Sequence, residues 1–231
     1  MRWFFSLFAV ALFGCAGSSA DRVAQARKNC EASLEKLCES RGLSYPVKRL
    51  FVRAFKAEKV LEVWGADKAG PMVLIKSYLV AAQSGGPGPK RKEGDRQVPE
   101  GFYSVDRFNP LSKFHLSLGL NYPNASDRVR GDHEHPGSDI FIHGDQKSIG
   151  CLAITDPMIE EIYLLALGSK EAGIPAHVFP CRMEGQVYRQ LRAEYPEFTA
   201  FWDELEPVFR SFERTKRVPT VKTSAKGAYS L

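Results

Sequence analysis

Residues 47–55 and 60–64 alternate apolar with polar side chains on either side of the polar stretch Lys56, Ala57, Glu58 and Lys59. A period of two puts successive side chains on opposite faces of an extended chain, so the pair predicts a β-hairpin with one face in a core. Further strands are expected at residues 72–80, 101–105, 114–120 (after a turn at Asn109 and Pro110), 140–143 and 176–179. The helical pattern is sparser. At residues 21–40, Val23, Ala26, Cys30, Leu34, Leu37 and Cys38 fall to one side. Asp156 as cap and Pro157 as first residue open a helix that Gly173 closes. Residues 186–212 read as two amphipathic helices split at Pro196, and residues 218–231 as a small hairpin over Lys226 and Gly227. Residues 84–96 form a long polar loop, and residues 122–137 are irregular. Many strands with few helices predict a mainly β or α+β domain. No repeat or interdomain linker is visible.

Hydrophobic residues make up 44% and charged residues 26% of the 231. That excludes a wholly disordered chain, a collagen and a multi-span membrane protein. The formal charge of +5 comes from 32 basic against 27 acidic residues. Arg214, Lys216, Arg217, Lys222 and Lys226 account for all of it, which leaves 27 against 27 in residues 1–213. A basic excess confined to one short tail is not the concentrated basic face of a nucleic-acid partner.

Met1 and Arg2 precede an apolar run at residues 3–13, interrupted only by Ser6. A helix needs ~20 apolar residues to span a membrane; one positive charge, a short apolar run and small residues describe a secretory signal. The run ends in Leu12, Phe13, Gly14, Cys15 and Ala16, which resembles a bacterial lipobox with Cys15 as the lipidated first mature residue. Phe13 departs from the small residue usual there, and ordinary cleavage after Ala16 or Ala20 is the alternative. The expected organisation is a signal peptide at 1–20, a helix at 21–44, a catalytic domain at 45–213 and a basic extension at 214–231. The expected location is the periplasm, with the N-terminal lipid in the outer membrane.

Cys30 and Cys38 lie eight residues apart, ~12 Å along a helix, beyond the ~7 Å Cα separation of a disulfide. Two readings stay open. Either one of them bridges to Cys181, or all three are small buried apolar side chains.

The chemically informative segment is residues 139–152. His143 ends an apolar strand, and eight residues later Cys151 follows Gly150. A turn between them folds the thiol back toward the imidazole. A free thiol with pKa ~8.5 is only a few per cent thiolate at pH 7, and a His within reach takes the proton and raises the reactive fraction. Gly150 permits a tight turn, and the backbone N–H groups around Cys151 are candidates to hold an oxyanion. The alternative is a buried Cys beside a His that caps a turn. Asp132, His133, Glu134 and His135, with His115, carry zinc-ligand types, but in a polar loop, so no metal and no cofactor is assigned.

Ile142-His143-Gly144 followed by Ser148-Ile149-Gly150-Cys151 resembles the active-site motif of the L,D-transpeptidase (YkuD-type) catalytic domain. Pro99, Glu100, Gly101, Phe102 and Tyr103 resemble that family's Pro-x-Gly-x-aromatic strand. Residues 88–95, His115 to Leu118, Asn121 to Asn124 with Asp127 and Arg128, Phe212 to Thr215 and Pro219 to Val221 are similar to its YafK-type branch. The resemblance implies a sandwich-like β fold with flanking helices. It also implies an enzyme acting on peptidoglycan stem peptides, as a transferase or as an amidase, with a peptidoglycan-linked lipoprotein as a further candidate partner. Carried over, Cys151 is the nucleophile and His143 the general base. Gly144 orients the base through its carbonyl oxygen, and Ser148 and Gly150 shape the oxyanion turn. Arg91, Arg96, Tyr122 and Arg128 are the expected substrate-binding residues; for the arginines the alternative is a solvated basic surface. Ile149 and Ala153 depart from the family pattern, which has polar residues there. That, with the short His143–Cys151 connection, tilts the expectation toward hydrolysis. A peptidoglycan-binding lipoprotein without turnover is the rival reading.

Overall fold

The hairpin around residues 56–59 is present. The structure is a computed structural model and describes residues 19–231; the lipobox expectation at Cys15 lies outside the described residues. β1 (Arg49–Phe55) pairs antiparallel with β2 (Val60–Ala66), and β2 with β3 (Val73–Leu79). β4 (Gly101–Asn109), β5 (Ser117–Leu120), β6 (Phe141–His143), β7 (Leu152–Ala153) and β8 (Ile174–Phe179) complete one mixed sheet in the order β3-β2-β1-β8-β4-β5-β6-β7. The β1–β8 and β6–β7 pairs are parallel. The sheet curls into a half-barrel. Its two ends meet where Ala153 accepts from Ala81 N at 2.8 Å and donates to Ala82 O at 3.0 Å, so the chain just beyond β3 closes on β7. β9 (Lys222–Thr223) and β10 (Tyr229–Ser230) form the small C-terminal ribbon.

β1 shows how the sequence places the core on both faces. Leu50, Val52 and Ala54 join one cluster with Ile174, Ala176 and Val178 of β8. α1 (Ser19–Ser40) and α3 (Asp156–Ser169) cover that face through Ala26, Leu34, Ile159 and Ile162. The alternate residues Phe51 and Phe55 point the other way, toward α5 (Thr199–Thr215) and its Phe209 and Phe212. Arg53, on that same face, is 1% exposed. It is held by Glu62 at 2.6 Å and Glu213 at 2.7 Å and packed on the ring of Phe212. The fold class is therefore α+β, with helices on both sides of the sheet.

Several boundaries moved for local reasons. β4 runs through Asn109, past the expected end at residue 105, because a bulge between Val105 and Arg107 interrupts its alternation. α2 (Ala125–Arg130) lies within the stretch read as irregular; Asn124 and Asp127 form a reciprocal capping box there. α3 ends at Ser169, and a 3-10 turn at Lys170–Ala172 precedes Gly173 with φ 75°. Its cap residue is Thr155, without a side-chain bond, because the Asp156 carboxylate accepts from Asp145 N at 2.7 Å instead. α4 (Gly185–Glu194) and α5 are split by the 3-10 turn Pro196–Phe198, at the expected proline.

The long polar loop is tethered. Lys56 Nζ donates to Gly88 O, Val98 O and Glu100 Oε1 at 2.7, 2.9 and 3.0 Å. Glu100 also accepts from Gly88 N and from Trp202 Nε1 of α5. The basic extension returns to the body as well, with Tyr229 buried against Phe102.

Candidate active site

β6 and β7 run parallel with Ile142 opposite Leu152 and His143 opposite Ala153. One step back along both strands, Cys151 stands beside Phe141. Residues two apart on a strand share a face, so His143 and Cys151 project to the same side. They line one cavity of about 460 Å³. No hydrogen bond joins them directly among the described residues.

His143 is 2% exposed. Its Nδ1 donates to Gly144 O at 2.6 Å, which fixes the tautomer and leaves Nε2 with a lone pair. The Phe114 ring stacks on the imidazole at 4.6 Å. Burial lowers the imidazole pKa below its usual value, partly opposed by the Gly144 carbonyl and Asp145. Only glycine fits at residue 144, since a Cβ there would lie 2.3 Å from Asp156 Oδ1 and 2.8 Å from Phe114 O.

The Cys151 thiol is half-buried and faces Asp139 O at 3.6 Å. Burial pushes its pKa above the usual value; Asp139 adds to that, while the Phe141 backbone and Lys90 oppose it. Both shifts favour the neutral thiol and the neutral imidazole, the opposite direction to the raised thiolate fraction that the sequence suggested.

The turn before Cys151 is closed by two serines. Cys151 N donates to Ser148 Oγ at 2.9 Å, and Ser148 Oγ donates to Cys151 O at 2.6 Å. Gly150, with φ 93°, donates its N–H to Ser84 Oγ at 2.6 Å. Ser84 Oγ in turn donates to Arg96 O at 2.7 Å. Two of the N–H groups around Cys151 that are candidates for an oxyanion, those of Gly150 and Cys151, thus have protein acceptors. The hydroxyls must yield before either N–H can serve a substrate.

The L,D-transpeptidase catalytic domain (YkuD) profile matches residues 51–174, a span that contains the whole constellation. The chain belongs to that family. It is 37% identical over 178 residues to an Escherichia coli K12 protein named "Putative L,D-transpeptidase YafK", covering 74% of this chain and 70% of that protein. The fold is shared with the helical cell shape determining protein Pgp2 from Campylobacter jejuni. One structure of Pgp2 has a TM-score of 0.50 at 18% identity and covers 83% of this chain and 80% of that one. Its K307A mutant has the same TM-score at 22% identity over 70% of this chain, and there the match spans 59% of the neighbour's length.

Within this L,D-transpeptidase-family domain, the expected substrate-binding residues separate. Arg96 lines a second cavity of about 290 Å³ on the Asp139 side of Cys151, together with Lys90 and Ile149. Arg91, Tyr122 and Arg128 line neither that cavity nor the one holding Cys151. Arg91 lies 3.9 Å from Asp127 and over the Phe201 ring. Tyr122 is buried, with its hydroxyl on Pro136 O at 2.8 Å. Arg128 is exposed on α2. Of the two family departures, Ile149 is 79% exposed, whereas Ala153 is buried in the ladder with Ala82.

His115 bonds Glu160 at 2.8 Å and belongs to a separate cavity of about 570 Å³ that also holds Asp145; Cys151 and His143 are not part of it. Asp132 accepts from Glu134 N and His135 N, so this segment is a backbone-capping turn. Among the described residues no cluster of three or more His, Cys, Asp or Glu is placed to hold a metal. Cys30, Cys38 and Cys181 are free and buried, with Cys30 and Cys38 in one core and Cys181 in another, so the bridging alternative is set aside. Phe114, Ser84 and Ser117 shape the site and were missed as site residues. Each reaches the motif from a remote segment; only the family likeness of residues 115–118 touches one of them, Ser117, and it gives no role.

Proposed function

We propose that this chain is an exported cysteine enzyme acting on peptidoglycan stem peptides through an acyl-enzyme on Cys151. The observation that carries this reading is the Cys151–His143 cavity, with Nδ1 committed to Gly144 O and Nε2 left to take a proton. The Cys151 sulfur attacks a stem-peptide carbonyl carbon while its proton passes to His143 Nε2. The C–N bond then breaks, and the amine leaves with that proton. Water or a second amine releases the acyl group.

We place hydrolysis ahead of transfer. Ile149 and Ala153 bring no polar group to the reacting chains, and two missing hydrogen bonds at ~1 kcal/mol each weaken an acceptor roughly tenfold or more, whereas water needs no such site. The signal segment and Cys15 support a lipid-anchored periplasmic protein. A peptidoglycan-binding lipoprotein is the second reading, favoured by the raised thiol pKa and the occupied N–H groups at Gly150 and Cys151.

The deciding experiment supplies purified peptidoglycan, with and without bound lipoprotein, plus a labelled amine acceptor, and weighs the products. Free stem peptide should appear faster than label is incorporated, and Cys151→Ala should abolish both. Faster incorporation than release reverses the hydrolytic preference; no product with tight binding establishes the second reading. In cells, Cys15→Ala should move the protein from the membrane to the soluble exported fraction, and an unmodified N-terminus after Ala20 removes the lipid anchor from the proposal.

A further inference from the structure

Ser117 opens β5 and stands opposite His143 in the β5–β6 ladder. Gly144 N donates to Leu116 O at 3.2 Å, one residue outside that pair on each strand. This makes Ser117 and His143 a non-hydrogen-bonded pair, the arrangement that brings Cα atoms to ~4.5 Å and their side chains together. Ser117 is 2% exposed and lines the cavity that holds His143 and Cys151. Its hydroxyl has no hydrogen-bond partner among the described residues. The hydroxyl keeps some accessible surface, and the cavity is the space it opens to. The flanking Leu116 and Leu118 are buried in the core, so the one polar side chain of this stretch is the one facing the cavity.

We propose that Ser117 Oγ is a binding contact for the nucleophile that resolves the acyl-enzyme, an amine or water carrying at least two hydrogens. The proposal rests on the acyl-enzyme reading given above. As the incoming nitrogen or oxygen bonds to the thioester carbon, one of its hydrogens passes as a proton to His143 Nε2. Ser117 Oγ accepts a hydrogen bond from the other. When the tetrahedral adduct collapses, the C–S bond breaks with its electron pair going to Cys151 Sγ, which takes the proton back from Nε2. Nδ1 stays committed to Gly144 O throughout. The imidazole and the hydroxyl beside it form a two-pronged acceptor for both hydrogens of the incoming group. In acylation the amide nitrogen gains its second hydrogen only as its bond breaks, so thiol attack depends less on Ser117.

The test compares the full protein with Ser117→Ala and Ser117→Thr, using peptidoglycan stem-peptide fragments, acid quench and intact mass to follow the adduct on Cys151. Loss of one neutral hydrogen bond corresponds to a fall of roughly five- to tenfold. Ser117→Ala should slow deacylation by that factor and accumulate adduct, with its formation changed by less than about twofold. Ser117→Thr, which keeps a hydroxyl, should recover most of the loss. Deacylation of Ser117→Ala at the wild-type rate overturns the proposal. So does an equal fall in both steps that Thr does not rescue, since that marks a packing role. Product formed with no adduct trapped in either the wild-type protein or Ser117→Ala instead overturns the acyl-enzyme reading on which the proposal stands.

Discussion

At the residue scale the candidate site was legible because its motif is local. His143, Gly144 and Cys151 lie within nine consecutive residues, and the parallel β6–β7 register turns that short span into a shared cavity. The protonation state was not legible, since it depends on burial that the motif does not encode. Burial lowers the His143 pKa below the usual imidazole value and raises the Cys151 pKa above the usual thiol value. Both shifts favour the neutral forms, so the sign of the pH dependence follows. Activity falls as pH drops through the His143 pKa, because imidazolium cannot accept the thiol proton. The kcat/KM profile should therefore show its acid limb below about pH 6.5 and a plateau reaching past about pH 8.5. A rise through the range of an ordinary thiol would mean that the thiolate itself is the reactive species. Replacing His143 by Gln should lower kcat/KM by about 10²-fold or more. Limiting iodoacetamide near pH 6.5 should label Cys151 before Cys30, Cys38 and Cys181, which are buried. Its rate should be no greater than that of a model thiol.

At the element scale the strongly periodic pieces were readable, and the short or interrupted ones were not. The β1–β2 hairpin alternates cleanly. β7 is two residues long and offers no period at all, and the bulge at Val105 hides half of β4. α2 did carry a signal, the Asn124 and Asp127 capping pair, overshadowed by the polar surroundings. Least legible was the role of residues 84–96, whose polarity marked only a long loop. In the fold this loop holds the turn before Cys151, as Ser84 bridges Gly150 N and Arg96 O. Ser84→Ala leaves the Gly150 N–H without its acceptor and cuts the loop free of the turn. Each neutral hydrogen bond is worth about 1 kcal/mol, so the Gly150 amide should exchange with solvent roughly five- to tenfold faster, as a local opening rather than a global one. Hydrogen exchange read at the residue level checks this, with amides in β1 and β8 as the internal standard. Unchanged protection at Gly150 would show that Ser84 merely sits against the turn.

For the whole molecule the question is what keeps a sheet of local hairpins, a long loop and a C-terminal helix in register. Much of the answer is one buried ion pair. Lys56, at the end of the first hairpin, and Glu100, just before β4, are almost wholly buried, 3.0 Å apart. Lys56 holds the loop carbonyls of Gly88 and Val98, and Glu100 holds Gly88 N and Trp202 of α5. Burial lowers the Lys56 pKa, and the Glu100 carboxylate opposes that shift. The sequence showed Lys56 only as part of a polar turn, because nothing local reveals that a charge will be buried against a partner 44 positions away. Breaking a buried pair costs more than the pair contributes, since the surviving charge stays desolvated. Lys56→Met should therefore destabilise the protein by about 3–5 kcal/mol. Adding Glu100→Gln removes the stranded charge while keeping an amide oxygen for Gly88 N or Trp202, so the double variant should be more stable than Lys56→Met alone. Denaturant unfolding of the four species closes the cycle. If the double variant loses the sum of the two single losses, the two charges are not coupled, and the register of loop, sheet and α5 must be held by the surrounding apolar packing of Phe55, Phe179 and Trp202.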